Sequence, residues 1–238
     1  NMLSGDHLFG SLKMKWSATF ASALEDRPNE RYITHRSNKL VLVDTKDPFK
    51  ALVTLKNQAD ALTLSLNEIN ESNNNTNEQD FNSKVDFELP FKNNKGNIYF
   101  GGRLRNKQKE RVDSYDIYSP ITTLASGGNN FGSLTFSKQD DRIFLNGDKY
   151  VPGNFVNSTY LGGLNFNDNS KFKKEDAIAE YITSNYSATE NIQATYLMSD
   201  YKLSDKLMII AGLRVENTNI NYRGFNFDEE TEVASETP

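Results

Sequence analysis

The sequence predicts an all-β fold: an antiparallel, up-and-down transmembrane β-barrel. It is partial, with about five or six spanning strands, long extracellular loops and a short loop helix. Three observations predict it. Segments of about ten residues alternate apolar and polar side chains, no run of about 18 apolar residues supplies a spanning helix, and short and long connections take turns along the chain.

A strand shows successive side chains on opposite faces, and about ten residues of tilted strand cross the hydrocarbon layer. From Ser11 to Phe20, Leu12, Met14, Trp16, Ala18 and Phe20 share one face, with Lys13, Lys15, Ser17 and Thr19 on the other. From Phe81 to Phe91, Phe81, Val85, Phe87, Leu89 and Phe91 oppose Asn82, Lys84, Asp86 and Glu88. After the turn Lys92-Asn93-Asn94-Lys95-Gly96, an Asn-rich hairpin signal, Ile98, Phe100 and Leu104 oppose Tyr99, Arg103 and Arg105; Tyr115–Tyr118 extends this strand. The clearest stretch is Asn191 to Tyr222. There Leu207, Ile209, Ala211, Leu213 and Val215 oppose Gly212, Arg214, Glu216 and Thr218. The preceding segment is read with Ile192, Ala194, Tyr196 and Met198 as its apolar face, against Gln193, Thr195 and Ser199. Antiparallel strands are therefore expected near 11–22, 81–91, 97–106, 191–202 and 207–222, joined at 92–96 and 203–206. A sandwich strand alternates too. Alternation alone leaves open a secreted, soluble β-sandwich acting as a binding or adhesion module.

Connection lengths favour the barrel. The connections 92–96 and 203–206 are short, whereas 23–79 and 106–190 are long, Asn-rich and irregular. A meander barrel has short turns at one rim and long loops at the other, and a sandwich has no reason to segregate them. Within the first long connection, Asp47-Pro48 fits a helix start, and Leu52, Leu55, Ala59, Leu62, Leu66 and Ile69 follow a helical spacing. Leu62, Leu64 and Leu66 also alternate, so helix and strand both fit 47–70. Lys173–Tyr186 reads as a short helix with Ala177, Ile178, Tyr181 and Ile182 on one stripe.

Apolar residues make up 37% of the 238, below the usual ~45–50%, yet aromatics reach 11%; aromatic-rich strands with polar connections explain that mixture. Cysteine is absent, which removes disulfides, thiolate metal sites and cysteine nucleophiles. A net charge of −5 argues against nucleic acid as a partner. The opening Asn1-Met2-Leu3-Ser4-Gly5 has no signal-peptide layout and reads like mid-chain sequence, so residues 1–238 are expected to be a fragment.

No motif for catalysis stands out. The only histidines are His7 and His35, and neither G-x-S-x-G, H-E-x-x-H nor a P-loop occurs, so no enzymatic activity, metal or cofactor is expected. His7, beside Asp6, reads as a solvated turn residue near a rim. Asn165, Asn167 and Asn169 begin like a calcium loop, but Ser170 and Asp176 stand where that loop needs Gly and Glu. Arg103, Arg105, Arg214 and Glu216 lie on polar strand faces and are expected to face the lumen, paired in a ladder within the wall. Tyr32, Tyr115, Tyr118, Tyr150 and Tyr160 fall in the long connections, where exposed tyrosines suit recognition of sugars or peptides and packing of the loops together is an equal alternative; Tyr115, Tyr118 and Tyr160 are the candidate ligand contacts.

The run Ala194 to Leu207 (ATYLMSDYKLSDKL), continuing as Ile210 to Thr218 (IAGLRVENT), resembles the barrel of TonB-dependent outer-membrane receptors. Lys84 to Phe91 (KVDFELPF), followed by Gly101-Gly102-Arg103, is similar to the same family, as is Leu12 to Ser17 (LKMKWS). The resemblance implies a 22-stranded barrel closed by an N-terminal plug. It implies import of a scarce nutrient (metal chelate, glycan or peptide) across a Gram-negative outer membrane, with energy delivered through TonB. Neither plug nor TonB box is visible, so the TonB complex is expected to act through a plug outside this stretch. The implied partners are outer-membrane lipid, the nutrient and a surface lipoprotein.

Overall fold

Strands much longer than a bilayer requires dominate the structure. The computed structural model describes residues 1–36, 41–46, 52–55, 64–91, 95–134, 136–138 and 154–237. Its strands are β1 (Met2–Phe9), β2 (Leu12–Arg36), β3 (Val41–Asp44), β4 (Leu52–Leu55), β5 (Ser65–Phe91) and β6 (Gly96–Pro120). They continue with β7 (Phe136–Lys138), β8 (Asn154–Val156), β9 (Phe172–Asp176), β10 (Tyr186–Ser204), β11 (Leu207–Asp228) and β12 (Val233–Thr237). Two short helices, α1 (Ser158–Gly162) and α2 (Ile178–Tyr181), lie in the last long connection. One sheet runs in the order β1-β2-β5-β6-β10-β11-β12, with β9 also on β6, while β3–β4 and β7–β8 form separate ribbons.

The expected strands all appear, as parts of β2, β5, β6, β10 and β11. Asp205-Lys206 links β10 to β11, and Gly10-Ser11 links β1 to β2, with Gly10 at φ 64°, a left-handed conformation that glycine adopts without strain. Of the turn 92–96, residues 92–94 lie outside the described residues, and the strands that flank it are sheet neighbours.

Four expectations need correction, and the open choice over 47–70 is decided in part. The connections 23–79 and 106–190 are less loop-like than expected, because β2, β5, β6 and β10 run on through 23–36, 65–79, 107–120 and 186–190. Stretches such as Asn73–Gln79 and Asn106–Glu110 are polar on both faces, so apolar alternation could not reveal them; backbone pairing and cross-strand ion pairs such as Lys107–Glu78 (2.8 Å) hold them. In 47–70, Leu52–Leu55 pairs with Val41–Asp44 as a ribbon, and Leu66 and Ile69 belong to β5, while 47–51 and 56–63 lie outside the described residues. The helix expected over 173–186 shrinks to Ile178–Tyr181, because Phe172–Asp176 instead pairs along Asp116–Pro120. His7 is not in a turn: it lies in β1 opposite Met14, and its Nε2 accepts the Trp16 indole N–H at 3.0 Å. The fourth correction concerns which way β10 faces.

Register decides that orientation, since residues paired across strands share a face. Leu197 lies between Phe100 and Leu213, whereas Ala194 lies between Arg103 and Glu216, and Tyr196 pairs with Arg214. Ile192, Ala194, Tyr196 and Met198 therefore belong to the charged face. Both faces of this strand are mixed, with Leu197 and Tyr201 among Gln193, Thr195 and Ser199, so alternation did not orient it.

Contacts divide the chain into two units: residues 1–27, 74–113 and 179–238, and residues 28–73 and 114–178. In the first unit the apolar face is uncovered, with Leu213 82% and Ile209 50% exposed. Leu12, Trp16 and Phe87 are half-buried, the last stacked on Phe100 at 4.8 Å. No second sheet covers this face among the described residues. The second unit has a buried core of Ile69, Tyr118, Phe166 and Phe172, edged by Ile33, Leu66, Leu124, Leu161 and Leu164.

Candidate functional site

The charged face of the first unit is a ladder of cross-strand bonds. Residues directly opposite on one face come within about 5 Å, close enough for long polar side chains to meet. At one end Asp200 accepts from the Tyr99 hydroxyl (2.9 Å) and from the Asn97 backbone (2.7 Å). Lys13 meets Glu88 at 2.9 Å, and Tyr196 donates to Asp86 at 2.9 Å. Further along, Arg103 donates to the Asn82 side-chain oxygen at 2.9 Å. Arg105 grips Asp80 through Nε and Nη2, the shorter bond being 2.6 Å, and approaches Glu190 at 3.6 Å. Arg214 pairs with Glu216 two residues on. The four residues expected on this face are all there, and they pair within the wall. Gly101 is the narrow point: a Cβ there would meet the Val85 carbonyl oxygen and come within 2.9 Å of the Tyr196 ring.

The tyrosines are a different matter. Tyr118 is 5% exposed and stacks on Phe166 at 4.1 Å, with Phe172 edge-on at 6.5 Å. Burial pushes its phenol above the usual range, and the same cause raises Tyr160. Tyr160 is half-buried and donates to the Leu124 carbonyl at 3.3 Å; Tyr115, also half-buried, donates to Glu68 at 3.0 Å. The expectation that these three are exposed is therefore corrected: they pack the long connections together. Tyr32 is 53% exposed, and Tyr150 lies outside the described residues.

Arg31, which no sequence pattern marked, organises the second unit. Its Nε donates to Glu71 at 2.6 Å, its Nη1 donates to the carbonyls of Gly162 (2.8 Å) and Leu164 (2.9 Å), and its guanidinium lies 4.4 Å from the Phe166 ring centre. A planar fork with several donors can satisfy all of these at once. Nearby, Lys174 pairs with Asp116 at 2.9 Å, and that hydrogen bond raises the ammonium pKa. The Asn165–Ser170 loop closes on itself: Asn165 and Asp168 accept from the backbones of Asn167 (3.2 Å) and Ser170 (3.1 Å). No group of acidic or histidine side chains suited to a metal occurs among the described residues.

An antiparallel sheet with one exposed apolar face, one charged face and long connections opposite its short turns defines a membrane-barrel wall. The family model for the TonB dependent receptor-like beta-barrel matches residues 22–236, and the chain belongs to that family. This is an outer-membrane family of Gram-negative bacteria whose members transport a nutrient ligand with TonB. No curated protein and no solved structure gives a significant match.

Proposed function

We propose that this sheet is part of the wall of an outer-membrane receptor that binds and imports a scarce nutrient, a metal chelate, glycan or peptide, without chemically converting it. The observation that carries the reading is the pairing of rows: Phe100–Leu197–Leu213 on one face, Arg103–Ala194–Glu216 on the other. The apolar row suits contact with lipid. The charged row suits a lumen occupied by a plug, through which the TonB complex acts. The long connections lie at the strand ends opposite the short turns, on the side where a ligand or a surface lipoprotein arrives.

In this reading Tyr115, Tyr118 and Tyr160 fix the shape of the outer connections rather than touch the ligand, and Tyr32, exposed among the described tyrosines of these connections, is available to it. The test is binding and uptake by the full receptor with Tyr32→Ala, and separately with Tyr115, Tyr118 and Tyr160 all changed to Phe. The triple Phe variant should keep its affinity because the rings remain. Tyr32→Ala should weaken it. A triple Phe variant that loses binding while folding normally would return those hydroxyls to the ligand site.

A further inference from the structure

The face that carries Arg214 and Glu216 changes character at its outer end. Register places the rows Lys107–Glu190–Ile220, Lys109–Ala188–Tyr222 and Arg111–Tyr186 there, on the same face as the Arg103–Ala194–Glu216 row. Tyr222 follows Glu216 by three rows, about 20 Å along the strand, at the end that carries the long connections. Ile220 is 65% and Tyr222 48% exposed, so two large apolar side chains stand open above the ladder of polar pairs. The Tyr222 ring is also held in one place. It stacks on Tyr186 with ring centres 5.5 Å apart and 23° between the planes. Gly224 supplies the room, because a Cβ there would come within 3.0 Å of the Tyr222 ring and 3.2 Å of its hydroxyl. A ring fixed before its ligand arrives loses little freedom on contact, which favours binding.

Charge narrows the occupant. Glu78 pairs with Lys107 at 2.8 Å and with Lys109 at 3.6 Å, Arg111 pairs with Asp113 at 2.7 Å, and Glu190 with Arg105 at 3.6 Å. The β11–β12 turn beyond the ring exposes Asp228, Glu229, Glu230 and Glu232, and the stretch from Gly224 to Thr237 has no Lys or Arg. Cations already paired, below an acidic rim, disfavour an anionic chelate. The carboxylates in the rows of the ring are themselves paired, so they do not ask for a cationic peptide. Between ring and rim stand neutral groups: Thr237 opposite Gly224, then Ser235 opposite Asn226. Such hydroxyl and amide groups both donate and accept. A fixed aromatic ring bordered by them matches a pyranose, whose C–H face is apolar and whose edge carries hydroxyls.

We propose that the Tyr222 ring, backed by Tyr186, is a subsite for one sugar ring of a neutral glycan in the lumen. The proposal rests on the reading that this face lines the lumen of a nutrient receptor, and it selects the glycan among the nutrient classes. Calorimetric titration of the full receptor in nanodiscs tests it. The probes are linear oligosaccharides of glucose, mannose, galactose and N-acetylglucosamine, with ferric citrate as an anionic chelate and pentalysine as a cationic peptide. At least one oligosaccharide should bind more tightly than ferric citrate and pentalysine, and Tyr222→Ala should weaken it about tenfold. Tyr222→Leu keeps an apolar side chain without the flat ring. It should weaken binding as much, and it carries the test if the Ala variant fails to fold. Binding of no oligosaccharide, tighter binding of ferric citrate or pentalysine than of any sugar, or full sugar affinity in a folded Ala or Leu variant overturns the proposal. A spin label at position 222 that meets oxygen as a lipid-exposed site does would instead overturn the underlying reading.

Discussion

Tyr118 shows how a residue chosen for its chemistry can turn out to serve packing. Its ring fills the middle of a four-residue core, so Tyr118→Ala should cost about 3–5 kcal/mol, whereas Tyr118→Phe should cost less than about 1.5 kcal/mol. Chemical denaturation of the receptor in detergent measures both. His35 makes a separate prediction. Burial lowers its pKa against the raising effect of the Asn129 backbone, and its ring meets Phe131 edge-on at 5.5 Å. A folded pKa below the unfolded value favours neutral imidazole in the fold. The stability it contributes is therefore present above about pH 6.5 and lost as pH falls below that. His35→Phe should flatten this acid limb of a stability-versus-pH curve. Neither role was legible in the sequence, because burial of a Tyr or His in a polar connection depends on contacts such as Tyr118–Phe166 between positions far apart in the chain. The wall residues Arg103, Arg105, Arg214 and Glu216 were legible because strand parity alone assigns their face.

At the scale of elements, β11 and β10 differ in how much their sequence determines. β11 separates Leu207, Ile209, Ala211, Leu213 and Val215 cleanly from Arg214 and Glu216, so one strand fixes its own orientation. Leu213→Arg should then cost about 2–4 kcal/mol if it lies near the midplane of a bilayer, measured by folding into lipid vesicles. A cost near zero would place that side chain in water. β10 carries no such contrast, and only its register with neighbours orients it, which is why its face was misread. The upper halves of β2, β5 and β6 were missed for a related reason. Stretches such as Asn73–Gln79 and Asn106–Glu110 are polar on both faces, so their pairing leaves no trace in hydropathy.

For the whole molecule, the five expected strands and the short connection between β10 and β11 were readable in the sequence, since turn chemistry and period-two patterning are local, whereas β1, β9 and β12 were not. The core of the second unit and the Arg31 clasp were not, because the clasp joins β2 to a connection about 130 residues further on. The central claim is that one face of the sheet meets lipid and the other does not. The absence of cysteine from the chain makes single-cysteine spin labels at Leu213 and Arg214 straightforward within the full receptor. Collision rates with oxygen, which concentrates in lipid, and with a water-soluble nickel chelate, measured in bilayers, test the claim directly. The account predicts that the label at 213 meets oxygen and is shielded from nickel, while the label at 214 shows no oxygen preference; a label at 213 that meets nickel as readily as one at 214 would contradict it.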